Sequence, residues 1–148
     1  MTSSKQANVH IRRARRDDFE SLAALTGWPD VAGSERRTIR LFRNILADQA
    51  YDLYVAEDAG ETIGVGAVSY VRVLGLGGQR ATLEDVTVRP DRRRRGVGRA
   101  LVEFLRLRGS RRGARSFEAA ASDAAAESFL RAVGFERAGD RFHRELGA

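Results

Sequence analysis

Val9-His10-Ile11-Arg12 alternates apolar and polar side chains, the period of a strand with one buried face. From Phe19 the period changes. Phe19, Leu22, Ala23 and Leu25 or Thr26 recur at helical spacing, with Asp17 or Asp18 in the capping position. Gly27-Trp28-Pro29-Asp30 breaks this helix, and 27–34 reads as a loop. Ser34 and Glu35 open a second helix, which sets Ile39, Phe42, Ile45 and Leu46 at helical spacing. Leu53 to Ala56 predicts a second strand, Asp58 to Glu61 a hairpin turn, and Thr62 to Val73 a long third strand. Gly64 and Gly66 in that strand mark either a bulge or a close backbone approach.

Leu83 to Val88 is rich in β-branched residues and is stopped by Pro90, which predicts a fourth strand. Asp91, the arginines 92 to 95, and Gly96-Val97-Gly98 follow. Beyond them Leu101, Phe104 and Leu105 share a helical face, with Glu103, Arg106 and Arg108 off it. Gly109 and Gly113 are expected to mark the end of this helix. Ser116 to Ala120 predicts a fifth strand. Ser122 or Asp123 caps a last helix bearing Ala126, Phe129, Leu130 and Val133, and Gly134 closes it. Phe135–Ala138 and Arg141–Glu145 are expected to pair as a closing hairpin about Gly139-Asp140. The sum is an α/β (α+β) arrangement, a mixed sheet flanked by helices. The fourth strand, the helix after it and the fifth strand would form a parallel, right-handed crossover.

The stretch from 83 to 107 carries the chemistry. A helix N-terminus offers unpaired N–H groups and about half a positive charge. Glycines at 96 and 98 let an anion approach the backbone, and arginine forks supply charge and bidentate geometry. Together these suit a pyrophosphate. The alternative is a tight connection with a solvated charge run. A lysine-bearing phosphate loop is set aside, because the only lysine is Lys5. A dinucleotide fingerprint needs a glycine at position 101, which is Leu101.

Composition narrows the classes. At 148 residues the chain is expected to be one domain, 1–148, with residues 1–8 flexible. It contains no cysteine, so disulfides, thiolate catalysis and cysteine-held zinc are excluded. That and the absence of a long apolar run predict a cytoplasmic protein with no membrane partner. The N-terminal residues lack the apolar core of a signal peptide. The net charge of +6 is almost entirely arginine, clustered only at 92–95 and 106–115, with no aromatic residues interleaved. Nucleic-acid binding is therefore placed behind binding of an anionic cofactor.

Arg93-Arg94-Arg95-Gly96-Val97-Gly98 resembles the Arg/Gln-x-x-Gly-x-Gly/Ala signature of the GNAT superfamily of acetyl-CoA-dependent N-acetyltransferases. Val86 to Pro90 resembles the strand before that signature, and Gly98-Arg99-Ala100-Leu101 the start of the helix after it. Ala126, Phe129 and Gly134-Phe135 are similar to the family's C-terminal helix and the Gly-Phe that closes it. The resemblance spans about Ile11 to Arg144. It implies a mostly antiparallel central sheet of six to seven strands with about four helices. It implies direct acetyl transfer from acetyl-CoA, with no metal, to a primary amine of a small molecule.

Carried over residue by residue, the resemblance assigns the pantetheine arm to Val86, Thr87 and Val88, with an oxyanion donor at Val86. It assigns the pyrophosphate to Arg93, Arg94, Arg95, Gly96, Val97, Gly98, Arg99 and Ala100. Asp123, where the family often has asparagine, and Phe129 complete the cofactor set. Trp28 stands where the acceptor wall lies in the family, and could equally be a core anchor. Glu84, two residues before Val86 and so expected on the same strand face, is the candidate base and acceptor contact. Its alternative role is to pair with an arginine. Leu130 departs from the family, where a tyrosine often protonates the leaving thiolate. Two other readings stay open: a peptide or protein N-acetyltransferase, and a non-catalytic acyl-CoA-binding sensor. Family members are often dimers, so a homodimer is the expected assembly if there is one.

Overall fold

The computed structural model describes residues 9–28 and 34–146. Five strands form one sheet in sequence order: β1 (His10–Arg13), β2 (Tyr51–Asp58), β3 (Glu61–Val73), β4 (Gly78–Val88) and β5 (Ala114–Ala119). All neighbours are antiparallel except β4 and β5, which run parallel through a helical crossover as the sequence predicts. The described residues hold four α-helices: α1 (Phe19–Thr26), α2 (Glu35–Ala47), α3 (Val97–Arg111) and α4 (Ala124–Ala132). Part of the expected 27–34 loop, residues 29–33, lies outside the described residues.

The sheet has five strands, not six to seven, because the closing hairpin is absent. Residues 136–146 are exposed and without regular structure. This segment is mostly charged, and its few apolar side chains find no face to cover: Phe142 and Leu146 are 95% and 90% exposed. Only Phe135 is drawn in, its ring centroid 5.2 Å from that of Phe117. Another difference lies at Gly109, where α3 does not end. Gly109 is buried against Ala81 and the Tyr70 ring, and the helix stops instead before Gly113, at φ +84°.

One cluster joins α1 and α2 to the sheet through Leu22, Phe42, Val55 and Val65, and the other face packs α3 and α4 through Val68, Leu83, Val102 and Leu105. Both sequence readings of the β3 glycines have a counterpart: the register with β2 slips beside Gly64, where Ile63 is an extra residue, and both glycines are a close approach. A Cβ at Gly66 would lie 2.7 Å from Leu105 Cδ1, and one at Gly64 3.1 Å from Leu101 Cδ1. Side chains of α3 therefore rest directly on the β3 backbone, and this sets the height of the helix over the sheet.

At the β1 edge, Arg12 bridges Asp18 (2.8 Å) and Glu57 (2.8 Å). Its hydrogen bonds hold both carboxyl groups below their usual range, against a smaller opposing effect of burial. A depressed carboxyl pKa gives stability that is present above the unfolded-state value and lost as the pH falls through the folded-state value. Arg12→Met is expected to cost about 2 kcal/mol at neutral pH, where charged hydrogen bonds are lost. The difference from the wild type should shrink below about pH 4, and denaturant unfolding across that range checks it.

Candidate active-site cleft

The β4–β5 pairing runs from Gln79–Ala114 to Leu83–Ala119 and goes no further. Beyond it β4 continues to Val88 with β3 as its only strand neighbour. The strands thus part, and backbone groups of β4 on that side have no ladder partner. A cleft of about 740 Å³ opens at this point. One wall is Val86, Thr87 and Val88, another the arginine turn and first turn of α3, and a third α4 with Phe129 and Asp123.

The turn is built by backbone conformation. Gly96, at φ +82°, is the N-cap of α3 and supplies no capping side chain. The first internal bond of the helix is Ala100 N–H to Gly96 O (3.0 Å), so the N–H groups before it have no helical acceptor. Arg94 also takes a positive φ, +63°, which tightens the turn. Gly98 is a close approach: a Cβ there would lie 3.2 Å from the Phe129 ring and 3.6 Å from Val88 Cγ2. Its lack of a side chain keeps the cleft open between two of its walls. Arg93 Nε donates to Val88 O (3.2 Å) and Arg99 Nη2 to Ala132 O (2.9 Å), tying the turn to β4 and α4.

Most residues that the resemblance assigned to the cofactor meet here. Val86, Thr87, Val88, Arg93, Arg94, Gly96, Val97, Gly98, Arg99, Asp123 and Phe129 all line the cleft, whereas Arg95 and Ala100 do not. Arg92 does line it, although the signature omits it, and its guanidinium pairs with Asp58 at 2.5 Å. Asp123 caps α4, its Oδ1 accepting from Ala126 N–H at 2.8 Å. Leu130 packs into the core beneath α4 and does not line the cleft. Trp28 lies in the α1–α2 cluster, with ring centroids 6.0 Å from Phe19 and 5.6 Å from Phe42.

Glu84 does not share a face with Val86. The pairing of β4 with β3 slips between Ala67–Asp85 and Val68–Leu83, so Glu84 is the extra residue of a β-bulge. Glu84 accepts from Ser69 Oγ (2.6 Å), and Asp85 stands opposite Ala67, two residues from Ser69. Both carboxylates therefore lie on the α1–α2 face. Thr87, a cleft residue, donates from Oγ1 to Asp85 Oδ1 at 2.8 Å. Burial raises the Asp85 pKa, opposed by the Thr87 bond. Tyr51, opposite Ser69, is raised by burial and then by the charges of Glu84 and Asp85. Among the described residues neither carboxylate forms an ion pair, in a chain with 26 basic side chains.

The sequence matches the profile of the Acetyltransferase (GNAT) family over residues 11–135. With the parted β4 and β5 and the Gly96–Gly98 turn, the chain belongs to that family and is an acetyltransferase by class. No match was found among curated proteins. A transcriptional regulator from Bacillus halodurans C-125 superposes with a TM-score of 0.83 at 24% identity, covering 94% of this chain and 100% of that one. The aminoglycoside antibiotic 6'-N-acetyltransferase of Acinetobacter haemolyticus gives 0.81 at 18% identity, covering 94% and 99%. AAC(6')-Iy, in complex with the bisubstrate analogue CoA-S-monomethyl-acetylneamine, gives 0.79 at 23% identity, covering 95% and 99%. At these identities the likeness is one of fold. No helix among the described residues is long and apolar enough to cross a membrane.

Proposed function

We propose that the chain is an acetyl-CoA-dependent N-acetyltransferase acting on a primary amine of a small cationic molecule. The carrying observation is the junction of the cleft, through Thr87, with the unpaired carboxylates Glu84 and Asp85. One end of the site suits a pyrophosphate and the other an ammonium group. The cleft fits the donor, since Gly98 leaves the first turn of α3 open between Phe129 and Val88. Arg93, Arg94 and Arg99 would hold the phosphates, and Val86 to Val88 the pantetheine arm. The donor supplies a thioester carbonyl, which the amine nitrogen attacks as the carbon–sulfur bond breaks.

The backbone N–H of Val86 would polarise the carbonyl oxygen. Glu84, exposed and steadied by Ser69, would take the proton that the amine must lose. Asp85 is a second reading for the same step, favoured by its burial and its raised pKa. The pair would also favour a cationic acceptor, because one carboxylate would remain to hold a second ammonium. The tyrosine that often protonates the thiolate in the family is Leu130 here. A thiol of pKa about 8.5 leaves tolerably as the anion, and water would supply the proton.

Calorimetric titration with acetyl-CoA, then thiol release against a panel of mono- and polyamines, tests the reading. Saturable binding with release on a polyamine is the expected result. No binding overturns it. Binding without release on any amine favours the acyl-CoA sensor, which Leu130 and the regulator-like neighbour both suit.

The base is read from pH profiles. Glu84→Gln should lower kcat/KM about 100-fold at neutral pH and recover at high pH, where the free amine forms unaided. Asp85→Asn should leave the acidic limb in place if Glu84 is the base. Loss of that limb in Asp85→Asn alone would move the role to Asp85.

A further inference from the structure

Three arginines converge on one carboxylate at the far end of α3. Asp52 of β2 is fully buried and accepts from Tyr70 Oη (2.7 Å), Arg108 Nε (2.8 Å), Arg13 Nη2 (3.2 Å) and Arg112 Nη1 (3.3 Å). Arg112 also donates to Gln49 O at 2.6 Å and lies 3.8 Å over the Tyr70 ring. The guanidinium groups of Arg13 and Arg108 make no further hydrogen bond among the described residues. Asp52 is the only ion-pair partner that any of the three has there. Two positive charges are left without a counter-charge.

One arginine would neutralise Asp52, and like charges at i, i+4 on a helix, here Arg108 and Arg112, repel. Stacking over Tyr54, 6.0 Å for Arg13 and 5.4 Å for Arg108, and over Tyr70 for Arg112 positions the guanidinium groups but supplies no counter-charge for the second and third. The side chains of Arg13 and Arg108 are 50% and 35% exposed above a carboxylate that is itself 0% exposed. Their unused N–H groups are thus open to solvent while Asp52 fixes their position from below. The negative end of the α3 dipole favours Arg108 and Arg112 where they stand but opposes an anion, so any attraction for an anion must come from the guanidinium groups.

We infer that this cluster is a second anion site, which takes a phosphate group as its dianion. A dianion balances the surplus charge. Planar guanidinium forks match phosphate oxygens in pairs. Ten residues of helix separate Arg108 from Gly98, about 15 Å, so the site is distinct from the cleft. It does not rest on the acetyltransferase reading.

Side-chain NMR of the full chain, with nitrogen-labelled arginine, tests the site. The probes are inorganic phosphate and glycerol 3-phosphate, against sodium chloride at equal ionic strength. Saturable shifts of the Nε–H signals of Arg13, Arg108 and Arg112 are expected with phosphate and not with chloride. Tighter binding of the monoester would identify a phosphorylated metabolite as the ligand, and equal binding would identify free phosphate. Arg13→Gln leaves Asp52 with Tyr70 and two arginines, and should weaken phosphate at least fivefold. Arg108→Lys keeps a positive charge but removes the fork, and gives the same readout if Arg13→Gln does not fold. Shifts confined to Arg93, Arg94 and Arg99, shifts that chloride reproduces, or unchanged affinity in the variants would overturn the site.

Discussion

Gly98→Glu is expected to abolish acetyl-CoA binding while the protein still folds. The first methylene would already stand 3.2 Å from the Phe129 ring, and the rest of the side chain must enter the cleft. There it brings a negative charge to the place meant for phosphates, beside the unpaired N–H groups of the α3 first turn. Both effects act on the ligand, and neither removes a core contact. Affinity should fall on the order of 100-fold or more, about 2.7 kcal/mol, with the unfolding midpoint within a few degrees of the wild type. Gly98→Ala separates the two effects. Phe129 need yield only a few tenths of an ångström, so the loss should be about tenfold or less. Calorimetry on the three proteins gives the order, and equal affinity in all of them would remove the cleft as the donor site.

The second large effect is on stability. Asp52→Ala deletes a fully buried carboxylate that Tyr70 and three arginines share. What remains is a half-buried group of like charges and a Tyr70 hydroxyl without its acceptor. Breaking a buried ion pair from one side costs about 3–5 kcal/mol. For a chain of this size that lowers the unfolding midpoint on the order of 10 °C. Thermal unfolding checks it. Asp52 lies remote from the cleft along α3, so acetyl-CoA affinity of the folded fraction should be unchanged. A midpoint within about 2 °C of the wild type would show that Asp52 is not the counter-charge holding β1, β2 and α3 together.

The parts legible in the sequence were those with a local cause. Gly96 and Gly98 announce a tight turn because only the backbone can pass there. Asp123 announces a helix start, and its side chain indeed bonds Ala126 N–H. Proline and glycine placed the turns. What escaped depends on partners distant in the chain. Alternation put Glu84 and Val86 on one face, but a bulge adds one residue and reverses the count, and nothing in Leu-Glu-Asp-Val marks it. Asp52 falls just before the strand expected at Leu53–Ala56 and carries no signal of its own, because Arg108 and Arg112 reach it from 56 and 60 residues away. Arg92 stands outside the signature, and its partner Asp58, at the end of β2, is 34 residues away in the chain. The closing hairpin had a turn signal at Gly139 but too few apolar side chains to reward pairing.

The seat of α3 on the bare backbone of β3 has a consequence for how this sequence can change. Leu105 and Gly66 share a space with no slack, since a Cβ at 66 would fall 2.7 Å from Leu105 Cδ1. Any enlargement at 66 must be met by a reduction at 105, or the helix tips and its far end, which carries Gly96 to Arg99, swings with it. Substitutions at these two sites should therefore be non-additive in a double-mutant cycle. Their joint tolerance would be set by the width of a cleft that neither residue touches.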